Sequence, residues 1–518
     1  MIEYCGGSPL AITVLGGLLA AKQTSNEWED VLKHIKSYIF KEDDLRVSKV
    51  FSLSYNDLPC HLKPCFLYLG GFPEDFAIPT EELIQMWMGE GFIPQISNEE
   101  DSEDTMEYEG EQYLRELMQR CMVQVGEISK LGRIETCRIH DLMRDFCISK
   151  AKQENFLQIT KKNIHSTRGS QGYTGKIRRL AITLESNDNY LNEYPHLRSL
   201  LYFMPSKKFY FKKSKLLRVL NLNSYQRENL PKDIGHFIHL RFLSLKNSYI
   251  NQVPSFFGNL KCLQTLDLRR NYYKVKVPNV FKEMEQLRHL YLPDEYKVGE
   301  KLELGNLCNL QTLLNVDPKT IEMPTSFRLD YLRILGIKKQ VNDEQPRLIY
   351  MLASSCPRLY QLVVFYLIED LPETCQFSPN LAQLELSSTY LRKEAIPTLA
   401  KLPNLKILRL LYNSLHLKEM VFSEGGFPSL QYLLLSELFV EEWNVREGAL
   451  PSLCHLTIEN CGGMQTIPCG LRFVTTLQEL EINFMPKSFT DRLDEGGPEF
   501  YEVQHVDSVV VNAVMSDW

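Results

Sequence analysis

The sequence lacks a basic leader. Its first eight residues, MIEYCGGS, hold Glu3 and neither Lys nor Arg, whereas a secretory signal begins with positive charge. It also lacks a long apolar run. The stretch CGGSPLAITVLGGLLA, residues 5–20, contains Pro9, Gly16 and Gly17 and stops before Lys22, short of the roughly 20 apolar residues that span a bilayer. A buried helix is the expectation for it, and no later segment is long enough to be an integral membrane anchor. Surplus positive charge is absent too: 58 Lys and Arg against 65 Asp and Glu give a formal charge of -7. That disfavours a general nucleic-acid binder, because phosphate contacts need excess cations. The 13 cysteines fall without paired spacing in a 518-residue chain, which points away from a disulfide scaffold and toward a reducing compartment, the cytoplasm.

Catalytic signatures are missing as well. There is no G-x-x-x-x-G-K-[ST], G-x-S-x-G or H-E-x-x-H, and no kinase motif set. The pairs Cys60 and Cys65, and Cys461 and Cys469, have no companions at zinc spacing. His236 and His239, in DIGHFIHLRFL, read as packing or surface residues of a repeat. No enzyme and no metal site is expected.

What is present divides into two grammars, a multidomain α and α/β chain. Residues 1–150 read as helices. TSNE, at Thr24 to Glu27, is a capping box, and Trp28, Val31, Leu32, Ile35 and Ile39 follow at helical spacing, predicting one buried face. In PTEELIQMWMGEGF, Thr80 is the expected cap, Leu83, Met86 and Trp87 point inward, and Gly91 is the stop. Two strand-like runs, CMVQVGEIS and GRIETCRIH, flank a turn and suggest a winged helix. The division reads as a helical subdomain over 1–70, a winged helix over 71–150, a linker over 151–175, repeats over 176–485 and a tail over 486–518.

From about residue 175 the motif L-x-x-L-x-L recurs. Its first apolar position falls at Ile177, Leu197, Leu217, Leu240, Leu263, Leu287, Leu310, Leu332, Leu359, Leu381, Leu405, Leu430, Leu453 and Leu477, with gaps of 20 to 27 residues. This is the period of a leucine-rich-repeat solenoid, a horseshoe of about 14 repeats whose leucines must stack to be buried. The residue between the last two motif leucines faces out on the concave sheet. Asn221, Ser244, Asp267, Tyr291, Glu385, Arg409, Thr457 and Glu481 occupy that position and are the candidates for contact with a protein partner, binding energy being concentrated in few of them.

Two charge runs stand out. Residues 99–111, EEDSEDTMEYEGE, hold eight acids and no base, and residues 207–218, KKFYFKKSKLLR, hold six bases among three aromatics. Each is by default a solvated loop. The sharper expectation is that the runs face each other and dock the repeats on the helical half, through Lys207, Lys208, Lys212 and Lys213. A basic–aromatic run beside a winged helix also suggests nucleic-acid binding, which the acidity near the wing disfavours.

Together these motifs resemble one family, the plant intracellular disease-resistance receptors of the coiled-coil nucleotide-binding leucine-rich-repeat class. CGGSPLAI is similar to the family's GLPLA segment, with Ser8 where Leu is usual. LSYNDLPCHLKPCFLYLGGFPEDFAI (53–78) and LIQMWMGEGFI resemble the junction into the winged helix and its next segment. CRIHDLMRDF resembles the MHD motif with Ile139 for Met, and FYEVQHV the terminal segment. The resemblance implies a nucleotide switch closed by ADP and opened by ATP, in which Pro9 lines the base pocket and His140 hydrogen-bonds the β-phosphate. The family's coiled coil and phosphate loop lie upstream of GLPLA, so this chain reads as N-terminally truncated, with no cofactor expected for it and ADP or ATP bound weakly or not at all. The partners implied are a pathogen effector or a guarded host protein, with the repeats docked on the module until release. Alternatives are a non-switching scaffold or decoy that regulates full-length receptors, or an F-box-type adaptor, against which no F-box is recognisable.

Overall fold

The computed structural model describes residues 5–39, 46–94, 105–160, 177–183, 189–190, 194–203, 209–210, 214–322, 328–338, 354–368 and 370–512. They form two compact units, one of residues 1–252 and 256–272, the other of residues 253–255 and 273–518.

The first unit begins with helix α1 (Pro9–Ala20). Ser8 caps it by accepting the Ala11 amide at 3.4 Å, and Pro9 takes the first helical position, where a missing N–H costs nothing. Ala11, Val14, Leu15 and Leu18 are buried, so the opening apolar run is a core helix. A Cβ on Gly17 would lie 2.6 Å from the Arg120 carbonyl carbon, and glycine there lets another helix end approach. Helix α2 (Ser25–Ile39) opens with the capping box as read: the Glu27 amide donates to Thr24 Oγ1 at 3.3 Å and the Thr24 amide to Glu27 Oε2 at 2.9 Å. Its predicted apolar face is corrected at Trp28, which is 43% exposed. The side chains of Ile35 and Ile39 lie outside the described residues.

Helix α3 (Arg46–Asp57) packs on α1, and α4 (Leu62–Leu69) on α7 (Asp141–Gln153). Asp57 joins Lys22 at 2.5 Å and Arg120 at 2.9 Å. Phe51, Tyr55, Phe66 and Phe146 form an aromatic cluster with centroids 5.8 to 6.5 Å apart, edge-to-face where Phe146 meets Phe51 and Tyr55 and tilted at Phe66.

Helix α5 (Thr80–Glu90) and helix α6 (Met106–Gln119) pack together beside a three-stranded sheet of β1 (Ile78–Pro79), β2 (Gln124–Val125) and β3 (Thr136–Arg138), antiparallel with β3 in the centre. This is the winged helix, with the wing where the two strand-like runs were read. Thr80 is not the cap: Pro79 holds that position, and Thr80 Oγ1 donates to the Ile134 carbonyl at 2.8 Å, pinning α5 to the wing. Gly91 ends α5 at φ 83°, in the left-handed region glycine favours.

The repeats open with β4 (Gln158–Thr160), β5 (Arg179–Ile182), β7 (Ser199–Tyr202), β9 (Val219–Asn221), β10 (Phe242–Ser244) and β11 (Thr265–Asp267), a parallel sheet in that order. A two-stranded convex pair, β6 (Asn189–Tyr190) and β8 (Phe209–Tyr210), accompanies them. The second unit continues in the same manner from His289–Tyr291 to Ser508–Asn512. Each of the 14 motif positions carries a strand, as expected. In the parallel sheet of the repeats two described strands fall outside them: Gln158–Thr160 in the stretch read as linker, and Ser508–Asn512 in the stretch read as tail. No described helix is long and apolar enough to cross a membrane.

The last repeats are stitched by buried acids. Glu502 accepts the Gly470 amide at 3.2 Å and the Arg472 amide at 3.1 Å and pairs with the Arg472 guanidinium, while Glu499 accepts the Ile467 amide at 2.9 Å. Glu502→Ala removes the acceptor of two amides and the partner of the half-exposed Arg472 guanidinium, and a loss of about 2 kcal/mol is expected for the second unit, read as a lowered denaturant midpoint. Glu502→Gln, which still accepts, should lose less.

Candidate functional site: the seat of the winged helix on the first repeats

Helix α5 is buried on nearly all sides from Leu83 to Glu90, although only one face is needed for the winged-helix core. The other face lies in the concave sheet of the first repeats. Ala181, Leu201, Val219 and Phe242, outward-facing on their strands, belong to the same apolar core as Phe66, Trp87 and Leu117. Side chains on a strand alternate between faces, so these four cannot also be filling the solenoid interior. The seam is closest at Gly89, where a Cβ would lie 3.0 Å from Val219 Cγ2 and 3.2 Å from Phe242 Cβ.

Polar groups fix the register. Tyr68 Oη and Ser199 Oγ are 2.8 Å apart and buried, and burial first, then the Glu90 charge, raises the phenol's pKa and keeps it protonated. The fully buried Glu90 carboxylate accepts from Arg179 Nη2 at 2.9 Å, and the Glu90 carbonyl from Arg218 Nη1 at 3.1 Å. An acid at a helix C-terminus opposes the helix dipole, and the two arginines offset both charges. The Arg179 guanidinium also lies 4.1 Å from the Phe156 ring centroid and 5.1 Å from that of Phe92.

At the start of α5, Glu82 Oε1 accepts from Asn221 Nδ2 at 3.1 Å and Asn223 Nδ2 at 3.3 Å. Asn223 Oδ1 accepts from Ser244 Oγ at 2.5 Å, and Arg269 holds Asp267 through Nη2 at 2.7 Å. Burial, then the Asp267 charge, raises the Glu82 pKa, against the opposing pull of Lys246, Asn223 and Arg269. A carboxyl raised in the seated state favours seating most below the ordinary carboxylate pKa, and that contribution fades as pH rises through the raised value. Glu82→Gln keeps the acceptor without the charge. It is expected to raise the unfolding midpoint at neutral pH and to remove the part of its fall that accompanies a rise of pH through the raised Glu82 pKa, as followed by tryptophan fluorescence.

The concave candidates fall into two groups. Asn221, Ser244, Asp267, Tyr291 and Thr457 are buried, a correction to their reading as partner surface. Asn221, Ser244 and Asp267 are engaged beneath or beside α5. Tyr291 lies along the His289 ring, and Thr457 Oγ1 donates to Glu481 at 3.2 Å. Glu385, Arg409 and Glu481 are half-buried; Arg409 stands 3.9 Å from Glu385, whose pKa burial raises and Arg409 lowers.

Pro9 and His140 sit at the starts of separate helices. Pro9 is exposed. His140, half-buried, caps α7 itself: its Nδ1 accepts the Leu142 amide at 3.3 Å, which places the ring proton on Nε2. Of the basic run expected to dock, Lys207, Lys208, Lys212 and Lys213 lie outside the described residues, as do residues 99–104 of the acidic run. The seating seen here uses Tyr68, Glu82, Gly89 and Glu90. None of these was singled out in the sequence, although an acid ending a helix, in MGEGF, is itself a request for a cation.

Comparison with known proteins agrees with this architecture. A family model described as disease resistance protein winged helix domain matches residues 72–147, and one described as leucine-rich repeat region matches residues 196–364. The chain is 38% identical over 561 aligned residues to the probable disease resistance RPP8-like protein 2 of Arabidopsis thaliana, covering 98% of this chain and 61% of that one. It is 35% identical over 556 residues to the disease resistance protein RPP8 of the same plant, covering 98% and 60%. The chain thus spans about 60% of the length of these relatives. With helices, winged helix and repeats in one order, it belongs to the disease-resistance proteins of plants that join a winged helix to leucine-rich repeats.

Proposed function

We propose that the chain serves a plant immune receptor, in which the repeats recognise a pathogen effector or a guarded host protein and the winged helix, seated on the first repeats, keeps the molecule at rest. The observation that carries this reading is the enclosure of α5 by the concave sheet, with Glu90 and Glu82 met by Arg179 and Asn221. Such a seat covers surface that a partner would otherwise reach, and a partner bound elsewhere on the repeats gains influence over the winged helix only if the two are coupled. The plant relatives named as disease resistance proteins support the setting, and the cytoplasm is the compartment that fits it.

The nucleotide part of the reading rests on two residues. With its proton on Nε2, His140 has a donor to offer an anion at the start of α7, where the helix dipole favours negative charge. Pro9, exposed at the start of α1, would border the base. ADP or ATP, held by the complete module of the family, would supply the phosphate that these groups sense. The test is disruption of the gene in the plant that carries it, followed by challenge with a panel of pathogen isolates. Loss of resistance to at least one isolate is expected; unchanged disease scores across the panel overturn the reading.

A further inference from the structure

The second unit carries an exposed apolar ridge that its own packing does not explain. Tyr412 is 53% exposed, Phe439 73% and Phe484 46%. They stand just beyond the C-terminal ends of the strands Ile407–Leu411, Tyr432–Ser436 and Glu479–Asn483, along one edge of the concave sheet. The register is continuous: the Tyr412 amide donates to the Ser436 carbonyl, the Glu437 amide to the Glu459 carbonyl and the Asn460 amide to the Asn483 carbonyl. Neighbouring strands lie about 4.8 Å apart, so the backbones at Tyr412 and Phe484, three strands apart, are separated by roughly 15 Å along this edge, with Phe439 three residues past the end of a strand between them.

Backbone conformation sharpens the case. The first residue after the strand has positive φ in successive repeats: Tyr412 at 33°, Glu437 at 54°, Asn460 at 47° and Phe484 at 52°. Asparagine is at ease there, whereas a bulky ring is strained. Two of these four positions hold an aromatic residue in an unfavourable conformation and present it to solvent. Strain kept at an exposed apolar site points to use, because packing gives no return for it.

Beside the ridge the sheet is rich in acids, although Arg409, outward on the strand Ile407–Leu411, places a cation there, 3.9 Å from Glu385. On the strands Tyr432–Ser436, His455–Glu459 and Glu479–Asn483, the outward positions and the residue that follows each strand include Glu437, Glu459, Glu479 and Glu481 and no Lys or Arg. His455 donates to Glu479 at 3.0 Å. Rings beside carboxylates suit cations in two ways, through the ring face and through the charge.

We propose that this face, the ridge of Tyr412, Phe439 and Phe484 with the acidic sheet beside it, is the recognition surface of the repeats, and that its occupant is a basic protein segment bearing bulky apolar side chains. This deepens the receptor reading above and rests on it for the claim that the repeats bind a protein. The probe is a fluorescein-labelled peptide of alternating Arg and Trp, titrated into the full chain and followed by anisotropy, beside its Asp–Trp counterpart. The Arg–Trp peptide is expected to bind at micromolar concentration, more weakly as salt rises, and the Asp–Trp peptide not to bind. The pair Tyr412→Asn and Phe484→Asn should weaken binding about tenfold or more while leaving the melting temperature unchanged or raised, since each relieves strain. Glu479→Gln with Glu481→Gln should weaken it by a similar factor. Equal binding of both peptides, no binding of either, or full affinity in both double variants overturns the assignment. The peptide assay reads this surface alone and the disease panel reads the receptor role, so failure of one is distinguishable from failure of the other.

Discussion

Gly89→Leu is expected to unseat the winged helix, while Gly89→Ala leaves it in place. The two substitutions meet the same neighbours but differ in what must move. An alanine Cβ would stand 3.0 Å from Val219 Cγ2 and 3.2 Å from Phe242 Cβ, a crowding that small shifts of the Val219 methyl relieve. Alanine also gains up to about 1 kcal/mol of helix propensity over glycine, so a net change near zero is expected. Leucine adds three more carbons to a seam already at close packing, between a helix and a parallel sheet that are both part of one core. Overpacking of this kind costs about 3 kcal/mol. Since α5 is also held to the wing through Thr80, the repeats rather than the winged helix should give way. Limited proteolysis is expected to cut the first repeats faster in the leucine variant, with no change in the alanine variant.

Loss of the Glu90 carboxylate should be nearly as damaging, for an electrostatic reason. Arg179 is largely enclosed, with a side chain 11% exposed against a Glu90 side chain at 0%. Cations crowd this site: Arg198 has its pKa lowered by burial first, then by Arg218, Arg178 and Arg179, with Glu90 opposing. Glu90→Ala therefore leaves a buried guanidinium without its partner and removes the acid that offsets its neighbours. Breaking one side of a buried pair typically costs about 3 to 5 kcal/mol, and urea unfolding of the intact chain reads it. Adding Arg179→Met should restore part of the loss, because the methionine stem keeps the contacts with Phe92 and Phe156 while the unpaired charge is gone. A double variant as unstable as the sum of the two single ones would show that the ion pair contributes nothing to the seat.

The repeats were legible in the sequence because their signal is long and redundant. Leu217, Leu220 and Leu222 are buried for the same reason as Leu240, Leu243 and Leu245 or Leu263, Leu266 and Leu268 in the next turns, and one rule places them all. The terminal strands escaped notice because QIT at 158–160 and SVVVN at 508–512 lack the leucine pattern. The capping box at Thr24 and the stop at Gly91 were readable, being local chemistry. Thr80 was misplaced by one residue because its hydroxyl is taken by the Ile134 carbonyl of the wing rather than by a helix amide, and Trp28 was misread because helical spacing marks a face without saying what covers it. The seat was illegible for the same reason. Val219 and Asn221 are outward positions of a repeat, and only the fold says that α5 stands on them. Asn221, Ser244 and Asp267 were read as outward positions, and the repeat pattern carries no sign of the helix that stands beside them.

The central claim is that α5 and the first repeats are one cooperative body. Native-state hydrogen exchange across a denaturant series tests it most directly, since segments that open together share one opening free energy and one slope. The amides of Leu83–Glu90 and those of the strands Val219–Asn221 and Phe242–Ser244 are expected to converge on a common value, lowered in parallel by Gly89→Leu. Exchange of the helix at a distinctly lower free energy, with the strands unaffected, would contradict the account.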